Sequence, residues 1–76
     1  MFKTIVDIYR DMTGDYTTNI QPKTRIKDGL RLSSLGRAQF ICEIEDRFDI
    51  EIPLSALKSF KTVQNLVDYL EKNVNE

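Results

Sequence analysis

Leu32-Ser33-Ser34-Leu35-Gly36-Arg37-Ala38-Gln39-Phe40-Ile41-Cys42-Glu43-Ile44-Glu45-Asp46-Arg47-Phe48, followed by Asp49-Ile50-Glu51-Ile52-Pro53, is the stretch that decides how this chain folds. Two adjacent serines open an amphipathic run, and serine is among the preferred residues at a helix N-cap. The spacing predicts a helix from about Ser34 to Phe48, with Leu35, Ala38, Ile41, Ile44 and Phe48 as its inward stripe. Arg37, Glu43, Asp46 and Arg47 are expected largely outside. Phe40 is placed off the centre of the stripe, partly exposed or at the bundle edge. Ile50-Glu51-Ile52 alternates like a strand but is too short and ends at proline.

Outward from this helix, Phe2, Ile5, Val6, Tyr9 and Met12 recur at helical spacing, and Gly14 supplies a stop. Residues 15–32 lose that periodicity and gather Thr, Asn, Asp, Gly and Pro22, which predicts a long ordered loop. Loops of that length are uncommon in compact domains and are often functional. Ile20, Ile26, Leu30 and Leu32 are its candidate anchors. After the connector, Leu54, Leu57 and Phe60 suggest a short third helix. Thr62 reads as the N-cap of a last helix with Val63, Leu66, Val67, Leu70 and Val74 as core positions. The expected architecture is all-α, a bundle of three longer helices and one short one, with the long loop between helices 1 and 2.

The chain has 76 residues and a formal net charge of −1, which fits one small domain over 1–76. That charge argues against general nucleic-acid binding, which requires a basic surface. There is no histidine and one cysteine, so neither a disulfide within the chain nor a zinc site is expected. Cys42, beside Ile41 and Ile44, reads as a small packing residue. The N-terminus Met1-Phe2-Lys3-Thr4 lacks an apolar stretch long enough for a signal peptide or membrane span, so a cytoplasmic protein without membrane insertion is expected. A serine at a helix start, with no histidine to activate it, is poorly equipped as a nucleophile and well placed to be modified by another enzyme.

The run from Ser34-Leu35 through Ile44-Glu45-Asp46-Arg47-Phe48 to Ile52-Pro53 resembles the acyl carrier protein family. Thr62-Val63-Gln64 with Leu66-Val67-Asp68-Tyr69-Leu70 is similar to the start of that family's last helix. The resemblance covers nearly the whole chain. It implies a four-helix carrier fold in which Ser34 bears 4'-phosphopantetheine, added from coenzyme A by a phosphopantetheinyl transferase. It also implies a protein that is not itself an enzyme and is expected to be monomeric. Such a carrier presents thioester-linked acyl groups to acyl-loading and acyl-transferring synthase enzymes of fatty-acid, lipid or polyketide biosynthesis. The family's usual aspartate before the serine is Ser33 here, which leaves Ser33 as the cap. The positive end of a helix favours an anion at that place.

Leu35, Arg37, Gln39, Phe40, Glu43 and Asp46 are the candidate partner-binding residues. Leu35, Phe40, Ile41 and Ile44 are candidates for contact with the arm or its acyl chain. Family members commonly offer an acidic second helix. Here Lys23, Arg25, Lys27, Arg31 and Arg37 make a basic approach to Ser34, and Glu43, Glu45, Asp46, Asp49 and Glu51 concentrate acid further along. This division predicts a specialised partner with acidic surface near Ser34. Two other readings stay open: an aminoacyl or peptidyl carrier using the same arm, and an unmodified interaction module that keeps the fold.

Overall fold

Each apolar repeat becomes a helix, and the breaks between them fall at residues with a physical reason to break. The computed structural model describes residues 1–74 and contains α1 (Phe2–Thr13), α2 (Ser34–Phe48), α3 (Leu54–Leu57) and α4 (Val63–Asn73). The last two positions of the expected 1–76 domain lie outside the described residues. Among the described residues there is no strand, only an isolated antiparallel bridge between Arg25 and Thr62. The all-α architecture, with its long first connection, is as the sequence predicts.

α1 ends where Gly14 takes φ 74, a left-handed conformation that glycine reaches without steric cost. The Gly14 N–H donates back to the Arg10 carbonyl at 2.7 Å. Ile5, Ile8 and Tyr9 of α1 are buried, while Phe2, Val6 and Met12 pack half-buried around them. Ile8 joins the expected core residues because it lies one turn from Ile5 on the same face. α1 is the element that packs against both α2 and α4.

The connection of residues 14–33 is ordered by anchors rather than by helix. Ile20, Ile26 and Leu30 are buried, and Leu32 packs half-buried against the same core. Backbone bonds then tie the loop to the start of α4. The Ile26 N–H donates to Lys61, Val63 to Thr24, and Gln64 to Pro22, at 2.8–3.0 Å. Near α1, Asp15 accepts from the backbone N–H groups of Thr17 and Thr18 and from both threonine hydroxyls. These bonds hold its carboxyl well below the ordinary 3.8.

α2 differs from its expected orientation. Phe40 is 0% exposed and Ile44 is likewise buried, whereas Leu35 is 79% exposed and Ala38 is exposed. The reason is helical phase. Three-residue steps rotate by about −60° each, so Leu35 and Ile44, nine residues apart, lie about 180° apart on the wheel. Phe40 and Ile44 lie within about 40° and make the true centre, with Ile41 and Phe48 at its margins. The Phe40 ring meets Tyr9 edge-on, with centroids 6.1 Å apart. Phe40 therefore leaves the expected edge position and partner surface and becomes the centre of the α1–α2 contact. Cys42, expected to pack, is exposed.

After α2, Asp49 takes φ 53 and its N–H donates to the Glu45 carbonyl. The Glu45 carboxylate accepts the Ile52 N–H at 2.7 Å, fixing the connector and burying Ile52. α3 is a single turn, with Leu54 66% exposed. Phe60 packs edge-on against Tyr69 of α4. Thr62 closes α4 with a reciprocal cap: its hydroxyl accepts the Asn65 N–H, and the Asn65 side chain accepts the Thr62 N–H. Val63, Leu66, Val67 and Leu70 then enter the core as expected, and Val74 packs half-buried against it.

Candidate functional site

The candidate site is the first turn of α2, and the core beneath it sets its position. The Tyr9 hydroxyl sits 2.9 Å from the Leu30 carbonyl and 3.1 Å from the Asp15 carboxylate, sharing one proton between two acceptors. Burial, and then the neighbouring Asp15, push the phenol pKa up, so Tyr9 stays a neutral donor. This fastens the loop four residues before Ser34. Arg31 turns the chain with φ 55, after which Ser33 is extended and α2 begins.

Ser33 is the N-cap. Its Oγ accepts the Gly36 N–H at 3.0 Å and its carbonyl accepts the Arg37 N–H at 2.9 Å. Ser34 is the first helical residue and is exposed. Among the described residues, the N–H groups of Ser34 and Leu35 have no protein partner. They belong to the orphan donors of a helix start and face an anion-favouring field. The two serines thus divide the work: one oxygen closes the helix, and the other stays exposed with only Arg37 of the described residues in reach.

Arg37 completes the geometry, and the sequence pointed to its charge but not to this contact. Its guanidinium donates to the Leu32 carbonyl at 3.2 Å and reaches the Ser34 Oγ at 3.4 Å, a long bond. The spacing of three residues on one helix face was the available signal. Among the described residues the one ion pair is Arg25 with Asp28, so Arg37 has no carboxylate partner. A guanidinium is always protonated and cannot take a proton from Ser34. The arrangement presents a hydroxyl next to a cation, without a base.

Behind Arg37 lies a groove of about 490 Å³ between α2 and the connector region. Ile26, Ile41, Ile52, Leu57 and Phe60 give it apolar walls, and Arg37 and Cys42 lie at α2's side of it. Of the four expected arm-contact residues, Ile41 lines this groove. Phe40 and Ile44 face the core, and Leu35 faces solvent.

Apart from buried Phe40, the expected partner residues fall into two groups on α2, with Leu35, Gln39, Glu43 and Asp46 within about 80° on the wheel and Arg37 on nearly the opposite side. Leu35 and Asp46 are both exposed and lie within about 20° of each other on the wheel. Gln39 and Glu43 line a shallow depression shared with Asp11 and Met12 of α1. Arg37 stands at the groove edge. Lys23, Arg25, Lys27 and Arg31 are exposed on the preceding loop. No group of histidine, cysteine and carboxylate side chains suited to a metal occurs among the described residues. Nor is any described helix long and apolar enough to cross a membrane.

The family follows from similarity over nearly the whole chain. The family model for the phosphopantetheine attachment site matches residues 3–70. The chain belongs to the acyl carrier protein family. It is 36% identical to the acyl carrier protein of Aster yellows witches'-broom phytoplasma over 75 residues, covering 99% of both chains. It is also 36% identical to that of Syntrophobacter fumaroxidans over 69 residues, 91% of this chain and 85% of that one. The acyl carrier protein of Micrococcus luteus matches at 31% over 67 residues, 88% of this chain and 83% of the relative. The prosthetic group of this family is 4'-phosphopantetheine, and the residues at the start of α2 fit it. An exposed hydroxyl, two unpartnered N–H groups and an unpaired guanidinium together suit a phosphodiester.

Proposed function

We propose that this chain carries acyl intermediates as thioesters on a 4'-phosphopantetheine arm attached to Ser34. One observation carries the reading: Ser34 offers an exposed hydroxyl at the α2 start that takes no part in the cap, while Ser33 is committed to it. The arm supplies a flexible tether ending in a thiol. Ser34 Oγ forms the new bond to the phosphorus of coenzyme A as the nucleotide portion leaves. Its proton passes to the transferase, because Arg37, the side chain within hydrogen-bond reach, is already protonated.

The remaining chemistry belongs to partner enzymes, and the chain is a non-catalytic, monomeric, cytoplasmic single domain. Leu35, Gln39, Glu43 and Asp46, within about 80° of one another on α2, form one face that partners read, and Arg37, about 160° from Leu35, offers a second contact on the groove side. Leu35 offers an apolar contact beside Ser34. The basic loop selects partners that are acidic near Ser34, which suits a specialised lipid or polyketide pathway. The apolar walls of the α2–connector groove support Ile41, rather than Phe40 or Ile44, as a contact for a bound acyl chain.

The test is intact-protein mass after incubation with coenzyme A and a broad-specificity phosphopantetheinyl transferase. The wild-type chain and Ser33→Ala gain one arm, and Ser34→Ala gains none. A gain that survives Ser34→Ala would move the attachment elsewhere. No gain with several transferases would leave the fold as an unmodified interaction module.

A further inference from the structure

We propose that Arg37 is the positioning residue for the root of the arm: it pairs with the phosphodiester on Ser34 and thereby loses its free charge when the arm is installed. The proposal rests on the reading of Ser34 as the attachment point and deepens it.

Three observations carry it. The guanidinium is already aimed, with one nitrogen on the Leu32 carbonyl and another 3.4 Å from the oxygen that becomes the ester oxygen. Arg37 is half-buried, so part of its side chain is held against the fold rather than sampling solvent. Among the described residues it lacks a carboxylate partner.

A phosphodiester on that oxygen places an anion beside a cation that is already in position, so little side-chain freedom remains to be lost on pairing. Arginine suits this role because its planar fork matches phosphate oxygens and its charge does not titrate in the accessible range. No carboxylate among the described residues lies within ion-pair distance of Arg37. Ser33 stands where the family has an aspartate, Asp28 is engaged with Arg25, and Glu45 is engaged with the Ile52 N–H. Arg37 also borders the apolar groove, so the pairing starts the arm at the groove's edge.

One consequence is a change of surface on modification. The unmodified chain shows an acidic transferase a free guanidinium beside Ser34. The modified chain shows later partners a neutralised one, leaving Lys23, Arg25, Lys27 and Arg31 to supply the basic field.

The experiment compares wild type, Arg37→Lys and Arg37→Gln in full-length protein. Intact mass first verifies arm addition in each, and circular dichroism verifies helix content. The phosphorus resonance of the modified proteins is then recorded, together with the Arg37 side-chain nitrogen resonance of wild type before and after modification. The Arg37 nitrogen shifts on modification. The phosphorus signal of Arg37→Gln is displaced from wild type, that of Arg37→Lys lies between them, and the spread narrows as salt is raised. A phosphorus signal common to all three proteins, with an Arg37 nitrogen unmoved by modification, would overturn the inference while leaving Ser34 attachment intact. Should Arg37→Gln fail to fold, the wild-type nitrogen shift and Arg37→Lys still decide the matter. Failure of wild type to gain the arm would overturn the attachment reading and the inference together.

Discussion

The starts of α2 and α4 use the same chemistry to opposite ends. At α4, Thr62 and Asn65 cap each other, and Thr24 and Pro22 carbonyls take the next two N–H groups, Val63 and Gln64. Every early donor of that helix has a protein partner, and Val63 is buried at once. At α2, Ser33 takes one N–H through its side chain and one through its carbonyl, leaving those of Ser34 and Leu35 open. One helix start is closed and holds the loop in place; the other is left open, as the proposed attachment at Ser34 requires. The difference separates a structural cap from a binding cap more clearly than residue type does.

The largest expected effect comes from cutting the loop that connects the two starts. Tyr9→Phe removes the donor to the buried Leu30 carbonyl and is expected to lower unfolding free energy by about 1–3 kcal/mol, measured by urea denaturation. Next, Thr62→Ala removes half of the closed cap and should cost about 1–2 kcal/mol. Ser33→Ala removes the single side-chain bond of the open cap and should cost about 0.5–1 kcal/mol, with arm addition retained. Equal losses at the two caps would contradict the contrast between them.

Acid probes the support of the open start, because Asp15 accepts from Tyr9, which fastens the loop before Ser34. Its folded pKa lies below its unfolded one, so its contribution is complete above about pH 4 and is lost as pH falls below the ordinary value of 3.8. Asp15→Asn should therefore flatten the fall of the denaturation midpoint below pH 4. A slope as steep as wild type would remove Asp15 from the loop's support. The smallest change is expected at the open start itself. Alanine at position 36 gains helix propensity of about 1 kcal/mol. Its Cβ would meet the Leu32 side chain at 3.3 Å and the Ser33 Oγ at 3.4 Å, closer than comfortable packing. Gly36→Ala should thus shift stability by less than about 0.5 kcal/mol, read from thermal midpoints.

The element boundaries were legible because they depend on local chemistry. Gly14 stops α1, Thr62 caps α4, Ser33 caps α2, and Pro53 marks the step into α3. Which face of α2 turns inward was read less well. Its apolar residues are spread around the wheel, so a stripe drawn through Leu35 at three-residue steps spiralled away from Phe40. Cys42, read as packing because it neighbours Ile41 and Ile44, lies about 180° from the Phe40–Ile44 centre and is exposed. The acids after Cys42 looked like one surface, yet Glu45 is engaged with the Ile52 backbone.

By itself, then, the sequence determined four helices, a long anchored loop, and a serine pair at the start of α2. Those features rest on spacing, caps and breakers, which act within a few residues. Tertiary structure decided the rest. It put Phe40 at the core by packing it on Tyr9, left Leu35 in solvent, closed the start of α4 with the loop, and aimed Arg37 from the Leu32 carbonyl at Ser34. These depend on which segments meet across the bundle and on the orientation of single side chains, and no periodicity along one helix encodes that.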